Sequence, residues 1–240
     1  MRRDYRPYTV IRACRRFQKF YTGHFLKPQL EHLGRGYMFM KPWYVELFGG
    51  PISIGNYATV IGAPDGHVRI CVWPQLAEHG RIRIGNYCLI CPGVRISSAS
   101  EIRIADNCML ANGVYITDSD WHDIYNRTSM GKTRPVRLMD NAWVGDSAIV
   151  CKGVTIGENS IVGAGSVVID DVPPNVIAAG NPARVVKQLD PREAITTRQQ
   201  WFADPDRLSR EFARLDRARL SGNTVFGWMR SLLFPGSHRK

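Results

Sequence analysis

Every sixth residue from Leu138 is aliphatic: Leu138, Val144, Val150, Ile156, Val162 and Val168. The residue four places beyond each is small or β-branched, in order Ala142, Ala148, Val154, Ser160, Ser166 and Val172. A helix repeats its apolar face every 3.6 residues and a strand every two, so a strict six is neither alone. It suits strands of a few residues joined by tight turns, with the chain coiling on itself as a parallel β-helix of hexapeptide repeats. The fold class is therefore all-β. The phase is visible earlier at Ile54 and Val60, again from Ile84 through Ile90, Ile96 and Ile102, and after a two-residue slip at Ile104, Leu110 and Ile116. These counts predict about five coils, beginning at Ile52–Ile54. The phase is lost over residues 62–80 except where Val68, Ile70 and Val72 alternate, which predicts a loop inserted at a corner. Pro173 and Pro174 are expected to end the repeat, because proline cannot donate to a strand ladder.

The flanks read differently. Val10, Cys14, Phe17 and Tyr21 recur at helical spacing beside Arg12, Arg15, Arg16 and Lys19, a short basic amphipathic helix. Such a helix caps an open strand edge or lies in a membrane surface. Residues 22–50 are aromatic and Gly/Pro-rich and give no reading. Beyond Pro191, Leu208, Phe212, Leu215 and Leu220 alternate with Arg207, Arg210, Arg214 and Arg217 as a charged surface helix, followed by an apolar tail around Phe226, Trp228, Leu232 and Leu233. The chain thus divides into an N-terminal cap segment (1–50), a β-helix domain (51–187) and a C-terminal helical extension (188–240).

Charge follows the same division. Residues 1–41 hold ten Lys/Arg against two Asp/Glu, residues 184–240 twelve against six, and residues 42–183 ten against thirteen. Basic ends on a slightly acidic middle favour contact of the ends with an anionic surface over nucleic-acid binding. No apolar run approaches the ~20 residues that span a bilayer, and the N-terminus lacks a signal-peptide core. A cytoplasmic chain, peripheral at the inner membrane face, is expected. Six cysteines do not make a disulfide scaffold. Cys88 and Cys91 form a CxxC, but Cys88 and Cys108 occupy the small hexad position and read as buried hydrophobes. His67, His79 and His122 have no metal-ligand spacing, so no metal is expected.

The largest interruption of the repeat, residues 117–135, is polar and sets His122 among Asp118, Asp120 and Asp123. This DSDWHDIYNR loop, the Trp143-Val144-Gly145 step and the closing GVTIGENSIVGAGSVVIDDVPPNVIAAGNPARVV resemble the hexapeptide-repeat acyltransferases, and among them the O-acetyltransferases of sugars and surface polysaccharides. The resemblance covers about residues 52–187. It implies a left-handed β-helix, a homotrimer, and acetyl-CoA as co-substrate at sites between subunits, with no tightly bound cofactor. Acetyl transfer from a thioester to a hydroxyl needs a proton acceptor, alignment of the two substrates and a donor for the oxyanion. By resemblance His122 is the base, with Asp120 or Asp123 orienting its ring. Trp143 would line the pantetheine arm, the amide near Gly145 and Asp146 would face the oxyanion, Gly163 and Ala164 would admit the arm, and Arg184 and Lys187 would hold phosphates. Trp121, Gly93 and Asn112 are the acceptor-side candidates. Relatives often carry Ser where this chain has Asp146, a second His or other polar residue at Trp121, and a sugar-contacting Asn near Gly93. These departures favour a lipid-linked or polymeric glycan precursor over small free sugars, with an amine acceptor as the rival within enzymes and a non-catalytic trimeric scaffold as the rival outside them.

Overall fold

The computed structural model describes residues 4–73 and 80–234. The short strands stack as a three-walled prism, a left-handed β-helix. Six complete coils are present, each contributing one strand to each wall. The first coil is β1 (His32–Leu33), β2 (Met38–Met40) and β3 (Val45–Phe48), and the second is β4 (Ile52–Ile54), β5 (Thr59–Ile61) and β6 (Val68–Val72). The third is β7 (Arg81–Ile84), β8 (Leu89–Ile90) and β9 (Arg95–Ser98), and the fourth is β10 (Glu101–Ile104), β11 (Met109–Leu110) and β12 (Tyr115–Thr117). The fifth is β13 (Val136–Leu138), β14 (Trp143–Val144) and β15 (Ile149–Val150), and the sixth is β16 (Thr155–Ile156), β17 (Ile161–Val162) and β18 (Val167–Val168). At about 4.8 Å between paired strands, six coils make a column about 29 Å tall.

The hexad residues point inward: Leu138, Val144, Val150, Ile156, Val162 and Val168 are all buried, as are their small partners Ala142, Ala148, Val154, Ser160 and Ser166. Each aliphatic withdrawn from water contributes about 1.5–3 kcal/mol. Cys88 and Cys108 fill two of the small positions, and their thiols donate to the carbonyls of Ala105 and Met139 at 3.1 Å. The hydrogen-bonded neighbour Cys108, and then burial, push the Cys88 thiol well up from its ordinary value. The CxxC is packing.

Two expectations about the ends of the coil are corrected. The coil begins at His32, not Ile52, because β1, β2 and β3 pair in parallel register with β4, β5 and β6. It also runs past the prolines. Val172 still bridges to Ile156, and β19 (Val176–Gly180) pairs with β17 before β20 (Ala183–Gln188) folds back antiparallel. Pro173 and Pro174 sit at a corner, where no ladder donor is required. There the Pro173 carbonyl accepts the Ser160 hydroxyl at 2.6 Å.

The helices join the two ends of the chain. α1 (Tyr8–Tyr21) leads into the first coil, and α2 (Arg198–Trp201) crosses the lower coils, where Arg198 donates to the Tyr87 carbonyl and the Thr59 hydroxyl. α3 (Pro205–Arg219) pairs Asp216 with Arg15 of α1, and Asn223, ahead of α4 (Val225–Leu233), donates to the Asp4 and Arg6 carbonyls. No helix of the described residues is long and apolar enough to cross a membrane. Residues 42–183 carry a slight acidic excess, but exposed Arg83, Arg103 and Arg137 stand in register on the first wall.

Candidate active site

The predicted site residues fall on two different corners. His122, Asp120, Asp123 and Trp121 lie between β12 and β13, where the third wall turns into the first. Gly93, Asn112, Gly145, Asp146, Gly163 and Ala164 lie where the second wall turns into the third, one above another in successive coils. Trp143 is on the outer face of the second wall beside that column, in register with Met109 and Ile161. Arg184 and Lys187 are on β20, the last strand of the same wall.

The third–first corner carries a tongue made of two strands of chain. Ser119 bridges antiparallel to Thr133, the Asp120 amide donates to the Lys132 carbonyl at 3.1 Å, and the Asp123 amide to the Ser129 carbonyl at 3.1 Å. Its root is fixed by Asp118, which is fully buried. That carboxylate accepts from the Ser98 hydroxyl at 2.7 Å, the Ala99 amide at 2.7 Å and the Ser100 amide at 2.9 Å, so the coil below holds the start of the tongue. Trp121 takes a positive φ of 60°, an uncommon conformation for a bulky residue. Its amide donates to the Ser119 hydroxyl and its indole N–H to the Thr117 hydroxyl, both at 3.0 Å.

His122 is exposed at the side of this tongue, with Nδ1 3.0 Å from the Arg127 carbonyl. A carbonyl only accepts, so this contact puts the proton on Nδ1 and leaves Nε2 as the basic nitrogen. The orienting group is thus a backbone carbonyl and not a carboxylate. Neither Asp120 nor Asp123 is bonded to the ring within the chain. Asp120 pairs with Lys152 at 2.6 Å, while Asp123 accepts the Tyr125 and Asn126 amides at 2.9 Å. Those amides, Asn126 first, hold the Asp123 carboxyl below its ordinary range. Both carboxylates act on the shape of the tongue.

Sequence reasoning missed three contributors. Arg127 works through its carbonyl, which no side-chain motif reveals. Lys152 comes from the next coil up. Gly131 was legible only as a lone glycine in a polar loop, yet a Cβ there would meet the His122 carbonyl oxygen at 2.5 Å and Asp120 Cβ at 2.6 Å. The two halves of the tongue close on each other only because that position is glycine.

The second–third corner is regular. Gly93, Gly113, Ser147 and Gly165 occupy equivalent positions in successive coils, all with positive φ, which accounts for glycine at three of them. Gly145 is required for a different reason: a Cβ would lie 2.6 Å from the Val162 carbonyl oxygen of the next coil. The Gly145 N–H is bonded to that carbonyl at 2.8 Å, whereas the Asp146 carboxylate accepts from the Ser147 hydroxyl at 2.7 Å. Ala164 and Gly165 are exposed. Arg184 pairs with Asp170 at 2.9 Å; both side chains are well exposed, so the pair is weak and exchangeable.

A cavity of about 610 Å3 opens elsewhere, between α2 and the stacked rings of Tyr57 and Tyr87, and none of the predicted site residues lines it. Among the described residues no three His, Cys, Asp or Glu side chains converge as a metal site; His79 lies outside the described residues.

Comparison with known proteins agrees with this architecture. Residues 135–170 match the family model for the bacterial transferase hexapeptide (six repeats), and residues 81–118 the hexapeptide repeat of succinyl-transferase. The chain is 37% identical over 112 residues to the galactoside O-acetyltransferase of Escherichia coli K12, covering 47% of this chain and 46% of that one. It is 48% identical over 63 residues to a putative acetyltransferase of Saccharomyces cerevisiae, covering 26% of this chain and 32% of that one. These matches span less than half of each curated relative. Among solved structures, a mutant of AntD, an N-acyltransferase from Bacillus cereus in complex with dTDP and coenzyme A, superposes with a TM-score of 0.56 at 20% identity, covering 80% of this chain and 96% of that one. The last likeness is one of fold.

Proposed function

We propose that this hexapeptide-repeat chain is an acetyl-CoA-dependent O-acetyltransferase, working as a homotrimer on a hydroxyl of a sugar in a surface-glycan precursor. The observation that carries the reading is His122, its tautomer fixed by the Arg127 carbonyl and its Nε2 left basic on an exposed tongue. In the reaction the acceptor hydroxyl loses its proton to Nε2 as its oxygen attacks the thioester carbonyl. The tetrahedral intermediate then collapses, the C–S bond breaks, and the CoA thiolate recovers that proton from the imidazolium. The products are an acetyl ester and free CoA.

Because the Gly145 N–H is already bonded within the coil, the amide of Asp146 is the better oxyanion donor on that corner. Trp143, Gly163 and Ala164 would flank the pantetheine arm. Arg184 and Lys187 would take phosphates, Arg184 by exchanging Asp170 for a better-matched anion. Gly93 and Asn112 would face the acceptor from the second–third corner of their subunit.

The trimer reading is supported by topology. In one chain the third wall stands between the base and the acetyl-CoA residues, so a neighbour related by rotation must bring its second–third corner to the tongue. The tongue also leaves Tyr125 92% and Ile124 68% exposed, apolar surface that a neighbour would cover.

A peripheral position on the cytoplasmic face of a membrane fits the joined ends. α1 exposes Phe17 and Phe20 among Arg12, Arg15, Arg16 and Lys19, and α4 exposes Phe226, Leu232 and Leu233. Apolar groups beside cations suit an anionic bilayer surface. Removing residues 1–21 and 223–240 is expected to abolish sedimentation with anionic liposomes; unchanged sedimentation refutes the membrane contact.

The activity is tested by incubating the protein with labelled acetyl-CoA and the surface glycan of the source cell after mild alkaline de-O-acetylation. Label on the glycan that a second alkaline treatment removes is the ester predicted here. Alkali-stable label identifies an amine acceptor, and an unlabelled glycan refutes the reading.

A further inference from the structure

The third–first corner carries more than the histidine. Phe48, the last residue of β3, and Trp73, the residue after β6, lie on the same corner three and two coils below the tongue, respectively. Their ring centroids are 4.8 Å apart, and Trp73 is 6.3 Å from Trp121 on the tongue itself. The three rings therefore form a continuous wall that ends one residue from His122. Phe48 is 49% and Trp73 45% exposed, so the wall faces outward.

Nothing in the packing of the prism requires this. The buried core is made of the inward aliphatics, and the equivalent corner position of the third coil is the small, buried Ala99. The wall is nonetheless held in place. The Trp73 amide donates to the Ser98 carbonyl at 2.8 Å, β3 and β6 are in register, and Trp121 is bonded through both its nitrogens. Large apolar rings kept fixed and open to water mark a surface that meets a partner.

We infer that Phe48, Trp73 and Trp121 form an acceptor platform for a chain of pyranose rings, which runs along the corner and delivers one sugar hydroxyl to His122. The inference rests on the acetyltransferase reading above and narrows its acceptor to an extended glycan. A pyranose presents an apolar C–H face that packs on an aromatic ring, with its hydroxyls left at the edge in water. Trp73 is tilted 44° to Phe48 and 77° to Trp121, which suits sugars that turn at each linkage better than one flat heterocycle. The ladder of Arg83, Arg103 and Arg137 on the adjoining wall makes an acidic glycan one case of this chemistry and a neutral glycan the other.

The test divides the de-O-acetylated surface glycan of the source cell into fragments of one or two sugars and fragments of six or more, each separated into neutral and acidic pools. With labelled acetyl-CoA, wild-type protein is expected to acetylate the long fragments of one pool with kcat/KM about tenfold above the short ones. Trp73→Ala and Phe48→Ala should each raise KM for those long fragments several-fold to tenfold, with kcat nearly kept and with acetyl-CoA binding and oligomeric state as in wild type. Equal use of long and short fragments overturns the platform and leaves the acetyltransferase standing. So does loss of the oligomer in both variants, which would make the wall a subunit contact. No transfer to any fragment refutes the enzyme reading itself.

Discussion

Where the second wall turns into the third, the fifth coil uses four residues, 145–148; where the third turns into the first, the fourth coil uses eighteen, 118–135. The first corner repeats coil after coil, with glycine or serine at the same positive φ and backbone amides bonded to the turn below or above. The second does not repeat. It holds a tongue rooted on a buried carboxylate, a strained tryptophan and an oriented imidazole. Regularity produces a smooth column against which a long, narrow ligand can lie. Irregularity produces a single chemical group in a single orientation. In the present account the repeated corner binds the donor and the interrupted corner performs the proton transfer, so variants of the two should separate cleanly into KM and kcat effects.

The sharpest separation is expected from His122→Ala, which should lower kcat/KM by about 10²–10⁴-fold with the far-ultraviolet circular dichroism and oligomeric state unchanged. Full turnover in that variant, measured as free CoA, would remove the base from the mechanism. Gly131→Ala comes next. The added methyl collides with the His122 carbonyl and Asp120 Cβ, and shifting the imidazole should lower kcat by about 10–100-fold while acetyl-CoA affinity is kept. A wild-type kcat would mean that the tongue's closure does not position the ring. On the other corner, Arg184→Ala should raise KM for acetyl-CoA about three- to tenfold and leave kcat alone, read from initial rates at saturating acceptor. A kcat effect there would blur the division.

The same contrast explains what was legible in the sequence. The hexad needs no context, because each inward aliphatic and each small partner is dictated by one wall of the prism. The stretch from Leu138 to Val168 therefore announced the fold. The first coil was hidden because His32, Met38 and Met40 lie on its outer face, and a 3-10 turn, Pro42–Tyr44, lengthens one of its corners. The prolines misled because they occupy a corner and not a ladder position. At the candidate site, the polar loop and the family resemblance singled out His122, and its orienting partner was sought among carboxylates. The group that fills that place is a peptide carbonyl, invisible to any reading of side chains. Gly131 and Lys152 acquire meaning only once the tongue is folded. The stacking of Phe48, Trp73 and Trp121 joins residues as many as 73 positions apart through the register of the walls.

If a working site joins the interrupted corner of one chain to the repeated corner of another, two variants that are each inactive should complement one another in the same oligomer. His122→Ala removes the base, and Ala164→Glu places a charged side chain where the pantetheine arm would pass. Each is expected to be inactive alone, Ala164→Glu through loss of acetyl-CoA binding. Co-expressed with different tags and purified as mixed trimers, the two should regain activity at about a third of the sites, one per mixed trimer, where an intact tongue meets an intact neighbouring corner. Mixed trimers that stay as inactive as their parents would mean that base and donor site do not meet across the subunit boundary.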